Sequence, residues 1–298
     1  MDNVLKPKGG GWLFETRNDF PEARKFPSSS GKRTREEGVS CSWRGVVTEM
    51  ARIRGVDVMK LEVIRCGDGV SDATPEEKLG SRRNTECNET IWPGILSGAG
   101  IPPLMNGGFQ LKPQEITTVV GPTGWSGRFW ARTGCNFDHS GEQGNCTTGD
   151  CGGHLECGGR GGVPPASLAE FTLDSPEDFY DVSLVDGFNL PVSLVPSGGS
   201  GNCSAVNCTS NLNLDCPEKL QVKGNNNSGE VVACESACLA FGEAEYCCTG
   251  EYNSPGVCKP TNYSEVFKKA CPTAYSYPYD DATSTFTCKG ANYSIIFC

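Results

Sequence analysis

The chain has 298 residues, with 36 Asp and Glu against 26 Lys and Arg for a net charge of −10, and 18 cysteines. Without the clustered Lys and Arg that phosphate backbones require, nucleic-acid binding is excluded, and no apolar run approaches the roughly 18–20 residues of a membrane-spanning helix. Sixteen of the cysteines lie between Cys87 and Cys298. The cytosol would hold so many thiols reduced, so this density predicts a disulfide framework made in a secretory or extracellular setting.

In chain order, the first region differs from the rest. Residues 1–86 carry a net +2 and residues 87–298 a net −12. Residues 1–84 form an atypical N-terminal segment, with basic and polar stretches such as KFPSSSGKRTREE, two lone cysteines (Cys41 and Cys66) and no apolar signal-like run. Either this segment is a gene-model artefact, or the protein stays reduced inside the cell. The first explanation is preferred because unbridged cysteines would forfeit about 2–4 kcal/mol per bridge; a segment retained in the mature protein is expected to be disordered and unpaired. The spacing around Val46 to Ile64 predicts an amphipathic helix, although MKLEVIRC at 59–66 is also strand-like.

From residue 85 onward, short alternating runs separated by Gly, Pro, Asn and Asp predict a mainly β domain. In FYDVSLVDGFNLPVSLV at 179–195, alternation places Tyr180, Val182 and Leu184 on one face and Asp181 and Ser183 on the other. Asp186-Gly187 predicts a tight hairpin there. SACLAFGEAEYCC and SEVFKKACP instead have helical spacing and predict a small disulfide-stapled subdomain. No C-x2-C pair occurs, and His139 and His154 sit in Gly-rich loops, so neither a metal nor a cofactor is expected.

The motifs CNETIWPGILSG, GRFWARTGCNFD, TTGDCGGHLEC, PPASLAEFTL, FYDVSLVDGFNLPV, CESACLAFG, EYCCTG, PTNYSEVFKKACP and AYSYPYDDATSTFTC resemble the plant thaumatin-like proteins, a pathogenesis-related defence family, over about residues 87–298. The resemblance implies a flattened β-sandwich with core segments 85–132, 166–209 and 272–298. It further implies a disulfide-rich helical lobe at 210–271 and a small loop domain at 133–165. The implied bridges are Cys87–Cys298, Cys135–Cys146, Cys151–Cys157, Cys203–Cys288, Cys208–Cys271, Cys216–Cys234, Cys238–Cys247 and Cys248–Cys258, leaving Cys41 and Cys66 over. One departure is KLGSRRNTE before Cys87, where the family has an alternating strand: this first strand is lost, poorly formed, or supplied by MKLEVIRC.

Glu170, Asp181, Asp186 and the Asp280-Asp281 pair stand in strand or turn contexts, where crowding of carboxylates would be costly unless it served a site. The resemblance implies a cleft lined by Arg128, Glu170, Asp181, Asp186 and Asp281. Such a cleft would bind β-1,3-glucan or another fungal wall polysaccharide, with weak endo-β-1,3-glucanase action if Glu170 serves as general acid and Asp181 as base or nucleophile. The alternative is a non-catalytic interaction protein, an enzyme inhibitor or a developmental wall protein, docking a basic partner by charge. Phe171, Phe179, Tyr180, Phe188, Tyr275 and Tyr277 are candidates to stack on sugar rings, Phe188 foremost, though Tyr180 is expected inward. The protein is expected to be a monomer secreted to the apoplast or cell wall. Of the sequons at Asn88, Asn145, Asn202, Asn207, Asn226, Asn262 and Asn292, Asn226 is the most loop-like.

Overall fold

A computed structural model describes residues 52–53, 56–57, 59–65, 88–174, 176–224 and 229–298. Its strands in chain order are β1 (Arg52–Ile53), β2 (Val56–Asp57), β3 (Met59–Arg65), β4 (Trp92–Ser97), β5 (Ile116–Gly121), β6 (Ser126–Arg132), β7 (Asn136–Phe137), β8 (Gly144–Asn145), β9 (Leu168–Thr172), β10 (Asp178–Ser183), β11 (Val192–Ser197), β12 (Val206–Cys208), β13 (Gln221–Lys223), β14 (Val231–Cys234), β15 (Phe286–Cys288) and β16 (Asn292–Phe297). Two five-stranded sheets, ordered β15-β10-β9-β6-β4 and β12-β11-β16-β3-β5, face each other. The architecture is mainly β, as the alternation predicts.

Period-two patterning builds the core. Phe129 on β6, Phe171 on β9 and Tyr180 on β10 are each at most 1% exposed. Tyr293 reaches in from β16 of the opposite sheet, its ring centroid 5.3 Å from Phe171 and 5.0 Å from Tyr180. Each such side chain contributes about 1.5–3 kcal/mol on burial. Two polar groups enter this layer as a satisfied pair: the Tyr293 hydroxyl donates to Asp178 Oδ2 at 2.8 Å, and Asp178 Oδ1 accepts the Asp174 N–H at 2.8 Å. The Tyr180 hydroxyl donates to the Ser204 carbonyl.

The expectation for the N-terminal segment needs correction at one place. Met59–Arg65 is an interior strand of the second sheet, parallel to β16 and antiparallel to the edge strand β5. Its Leu61 and Val63 are fully buried. Alternation won over the helical pattern because every second side chain of this segment meets the sandwich core, so the helix expected over Val46 to Ile64 does not form there. The first strand is therefore not lost, and the sheet begins upstream of residue 85. The rest of the N-terminal segment, including Cys41 and Cys66, lies outside the described residues apart from the short β1–β2 pair.

Asp186-Gly187 also behaves differently from the hairpin expectation. The Gly187 N–H donates to the Leu184 carbonyl at 2.9 Å, so a turn forms, but β10 lies in one sheet and β11 in the other. Gly187 has φ +82°, and a Cβ added there would come within 2.6 Å of the Cys234 carbonyl. The turn crosses between layers and packs against β14, which a hairpin could not do.

Seven disulfides join Cys135 with Cys146, Cys151 with Cys157, Cys203 with Cys288, Cys208 with Cys271, Cys216 with Cys234, Cys238 with Cys247 and Cys248 with Cys258. Cys298 is also disulfide-bonded; its implied partner, Cys87, lies outside the described residues.

The lobe carries α1 (Ala237–Phe241), α2 (Ala244–Cys247) and α3 (Asn262–Ala270). Helices this short are marginal in water, and local devices hold them. Ser236 caps α1, Gly242 closes it in the left-handed region, and Thr261 with Ser264 forms a capping box on α3. The small loop domain is seated by Arg132, which is fully buried. Its guanidinium donates to the carbonyls of Trp92, His154 and Leu155 at 2.7–2.8 Å. Burial lowers its pKa to about 10, with Asp150 pulling the other way. No described helix is long and apolar enough to cross a membrane.

Candidate functional site

Antiparallel register fixes the heart of the site. Arg128 on β6 pairs with Glu170 on β9, and Glu170 pairs with Asp181 on β10, so three side chains stand in a row across adjacent strands on one face. Their sequence neighbours Phe129, Phe171 and Tyr180 point into the core. Alternation therefore turns the charged row outward, toward the side bearing the helical lobe.

Two more carboxylates join the row from loops. Asp186 lies within the turn that follows β10, with Oδ2 3.8 Å from Arg128 Nη1, and about a third of its side chain is exposed. Asp281 opens α4 (Asp281–Ser284) and accepts the Tyr275 hydroxyl at 2.9 Å. Tyr275 is tied to the sheet by its backbone, which bonds the Val182 carbonyl and the Leu184 N–H at 2.8 Å each. Its hydroxyl also contacts Thr285.

The adjacent acids 280 and 281 have separate roles. Asp280 Oδ2 accepts the Ser276 N–H and hydroxyl at 3.0 Å each and meets Lys268 Nζ at 2.9 Å. Lys268 also donates to the Ala274 carbonyl and Ser284. Asp280 is thus consumed in holding the loop, while Asp281 faces Asp181.

One guanidinium against four carboxylates leaves the site short of positive charge, and protonation relieves the shortfall. Burial holds Glu170 well above the usual carboxylate range, Asp181 and Asp186 push it further, and Arg128 offsets part of this. Burial and then Asp281 raise Asp181 to about 8. Asp186 is raised by burial against the pull of Arg128. The arrangement therefore keeps protons at neutral pH, so it can donate as well as accept hydrogen bonds. Asp181 Oδ1 is buried and has no hydrogen-bond partner among the described residues, in keeping with a carboxyl raised chiefly by burial. No group of three His, Cys, Asp or Glu among the described residues is placed to hold a metal ion.

The aromatic candidates separate by burial. Phe171, Tyr180 and Phe188 are at most 1% exposed and cannot stack on a ligand. For Phe188 this corrects the expectation: the layer-crossing turn carries it into the core, where its backbone pairs with Cys234. Tyr275 and Tyr277 remain partly exposed beside the carboxylates. The contact of Tyr275 with Asp281 was missed by sequence reasoning, although its pattern Y-x5-D lies within one short loop.

Residues 85–298 match the model of the Thaumatin family. The chain belongs to that family. Arabidopsis thaliana pathogenesis-related protein 5 is 54% identical over 253 residues, covering 84% of this chain and 100% of the relative. That share exceeds what residues 85–298 alone can supply, in keeping with the structural role of β3. A Prunus avium protein named glucan endo-1,3-beta-glucosidase is 52% identical over 216 residues, covering 71% of this chain and 87% of the relative. Among solved structures, a laminaripentaose-producing beta-1,3-glucanase in complex with laminaritetraose has a TM-score of 0.50 at 11% identity, covering 80% of this chain and 98% of the other. At that identity the likeness concerns the fold.

Proposed function

We propose that this family member is a secreted, monomeric plant defence protein whose acidic cleft binds the β-1,3-glucan of fungal walls, with an antifungal outcome. The observation that carries the reading is the in-register row Arg128, Glu170 and Asp181, which gathers a guanidinium and two carboxyls on one face of the sheet, with Asp186 beside Arg128. A sugar polymer presents hydroxyls that both donate and accept. A wall holding protonated carboxyls, free carboxylate oxygens and one guanidinium matches both roles without a fixed ligand charge. The relatives' names, pathogenesis-related protein 5 and glucan endo-1,3-beta-glucosidase, support the same direction, and the dense disulfides suit a secreted protein.

Slow hydrolysis is the second reading, favoured by the raised pKa of Glu170, which suits a general acid. In this reading protonated Glu170 donates to the glycosidic oxygen, while Asp181 acts as base or nucleophile. Binding ranks first because Glu170 and Asp181 are direct cross-strand neighbours on one wall. Titrating together, they serve proton sharing more readily than attack from two sides of a scissile bond.

The test pairs retention of the oxidised full chain on insoluble linear β-1,3-glucan with reducing-sugar release, for wild type and Glu170→Gln. Retention lost or weakened in the variant supports the sugar site. Sugar release by wild type that disappears in the variant makes it a hydrolase. Flow-through of the wild type overturns the glucan reading.

A further inference from the structure

The charged row continues for one more strand. Leu96 on the edge strand β4 pairs with Arg128, in the same register that sets Arg128 beside Glu170 and Glu170 beside Asp181. At this end the small loop domain lies over the sheet. Trp130, two residues after Arg128 and so on the same face, is buried with Cys151 and Cys157 of that domain, and Leu96 packs against the cluster. Residues 158–163, GGRGGV, run along the contact and bring Gly161 to Arg128: a Cβ added at Gly161 would lie 3.6 Å from Arg128 Nη2 and 3.6 Å from Leu96 Cδ2.

The other glycines of this loop have local reasons. Gly158 and Gly159 have φ of +58° and +84°, and a Cβ on Gly162 would strike the Trp130 indole at 2.4 Å. Gly161 has neither reason, since its φ lies outside the left-handed region and 3.6 Å is ordinary van der Waals contact. It is exposed, and the Arg128 side chain that it abuts is 24% exposed. Backbone and packing therefore both tolerate a side chain at 161. What its absence changes is the surface, where the guanidinium is left open on the side away from Glu170.

We propose that Gly161 is a specificity-determining residue of the cleft: its bare backbone lets a glucan chain lying on Glu170 and Asp181 run on past Arg128 and out over the loop. The inference rests on the glucan reading above and adds what the site selects, namely chains long enough to cross this lip. A bulky side chain at 161 would begin in contact with the guanidinium and stand in the path of the chain, closing the site at Arg128. Sugar units beyond Arg128 add contact area without touching the carboxyls, so the lip sets the preferred length of the ligand and leaves the chemistry of the row unchanged.

Calorimetric titration of the oxidised full chain with linear β-1,3-gluco-oligosaccharides, from disaccharide to hexasaccharide, tests this beside Gly161→Ala and Gly161→Leu. Wild-type affinity is expected to rise with length. Gly161→Leu should weaken the hexasaccharide about tenfold and leave the shortest chain that binds unchanged, with Gly161→Ala between the two. Melting temperature reads the fold separately and should not fall in Gly161→Ala, whose backbone conformation suits alanine. Should leucine lower it, the alanine variant decides, by a loss of about two- to threefold confined to the longer chains. Wild-type affinity that does not rise with length, variants that bind every length as wild type does, or a loss equal at all lengths overturns the role of Gly161 while the glucan reading stands. Absence of wild-type binding at every length overturns both.

Discussion

The two walls of the cleft reach a fixed geometry by different physics. On the sheet side, Arg128, Glu170 and Asp181 stand on strands whose positions follow from ladders and from a core shared by the whole sandwich. On the lobe side, Tyr246 and Lys259 stand on or beside helices of four to nine residues, held by caps and by the Cys238–Cys247 and Cys248–Cys258 bridges. The first wall is as stable as the fold; the second depends on local staples. Crowded carboxylates, whose repulsion works against any flexible support, occupy the cooperative wall, and the stapled one carries Tyr246 and Lys259.

Four experiments can break or sharpen this contrast, from the largest expected effect to the smallest. Phe171→Ala removes a buried ring from the layer between the sheets and should cost about 3–5 kcal/mol. Because that core is common to both walls, near-ultraviolet dichroism and hydrogen exchange should show sheet and lobe melting together. Replacing Cys248 and Cys258 by serine opens a loop of sequence separation 10 and should cost about 2–3 kcal/mol. Here hydrogen exchange should accelerate in α2 and α3 while amides of β6, β9 and β10 stay protected. Equal acceleration in both regions would mean the lobe is no separate unit.

Lys268→Met removes the ammonium that meets Asp280, Ser284 and the Ala274 carbonyl, and about 1–2 kcal/mol of stability should go with it. Its diagnostic sign is a drop in the pKa of Asp181 by NMR titration, as Asp281 loses its fixed approach. The fourth experiment concerns protons. The pKa of Asp181 rises from an ordinary 3.8 to about 8 on folding, so the folded state binds the extra proton. Its contribution to stability is fully present below about pH 4 and is lost as pH climbs through about 8. Melting temperature should therefore fall between pH 5 and pH 9, and Asp181→Asn should flatten that decline. A wild-type profile unchanged across this window would mean that the row ionises freely.

Much of this was legible in the sequence where a short-range rule governs. Alternation placed Tyr180 inward and Asp181 outward because a strand leaves no other choice. Helical spacing marked SACLAFGEAEYCC and SEVFKKACP because their caps lie within a few residues. The failures share a cause, since they required knowing which distant strand a segment meets. Asp186-Gly187 carries the local chemistry of a hairpin, but β11 pairs with β12 and β16 and draws Phe188 into the core. MKLEVIR has a strand pattern, but nothing local says which distant strand it joins. Its register with β16 sets Arg65 opposite Phe297, and a cysteine follows each in the sequence, Cys66 and Cys298. Mass mapping of non-reduced peptides identifies the disulfide partner of Cys298, a cysteine outside the described residues.

The parallel pairing of β3 with β16 also bears on how the protein is made. The Lys60 N–H donates to the side chain of Asn292 across 232 residues, and β3 occupies its sheet between β5 and that final strand. During synthesis β3 and β5 leave the ribosome early, but one edge of β3 stays vacant until β16 emerges. Such non-local closure is slow and leaves strand edges open to wrong partners meanwhile. A polypeptide lacking β16 would thus split the second sheet into the β12–β11 and β3–β5 pairs, and that sheet is expected to close only once β16 has been made.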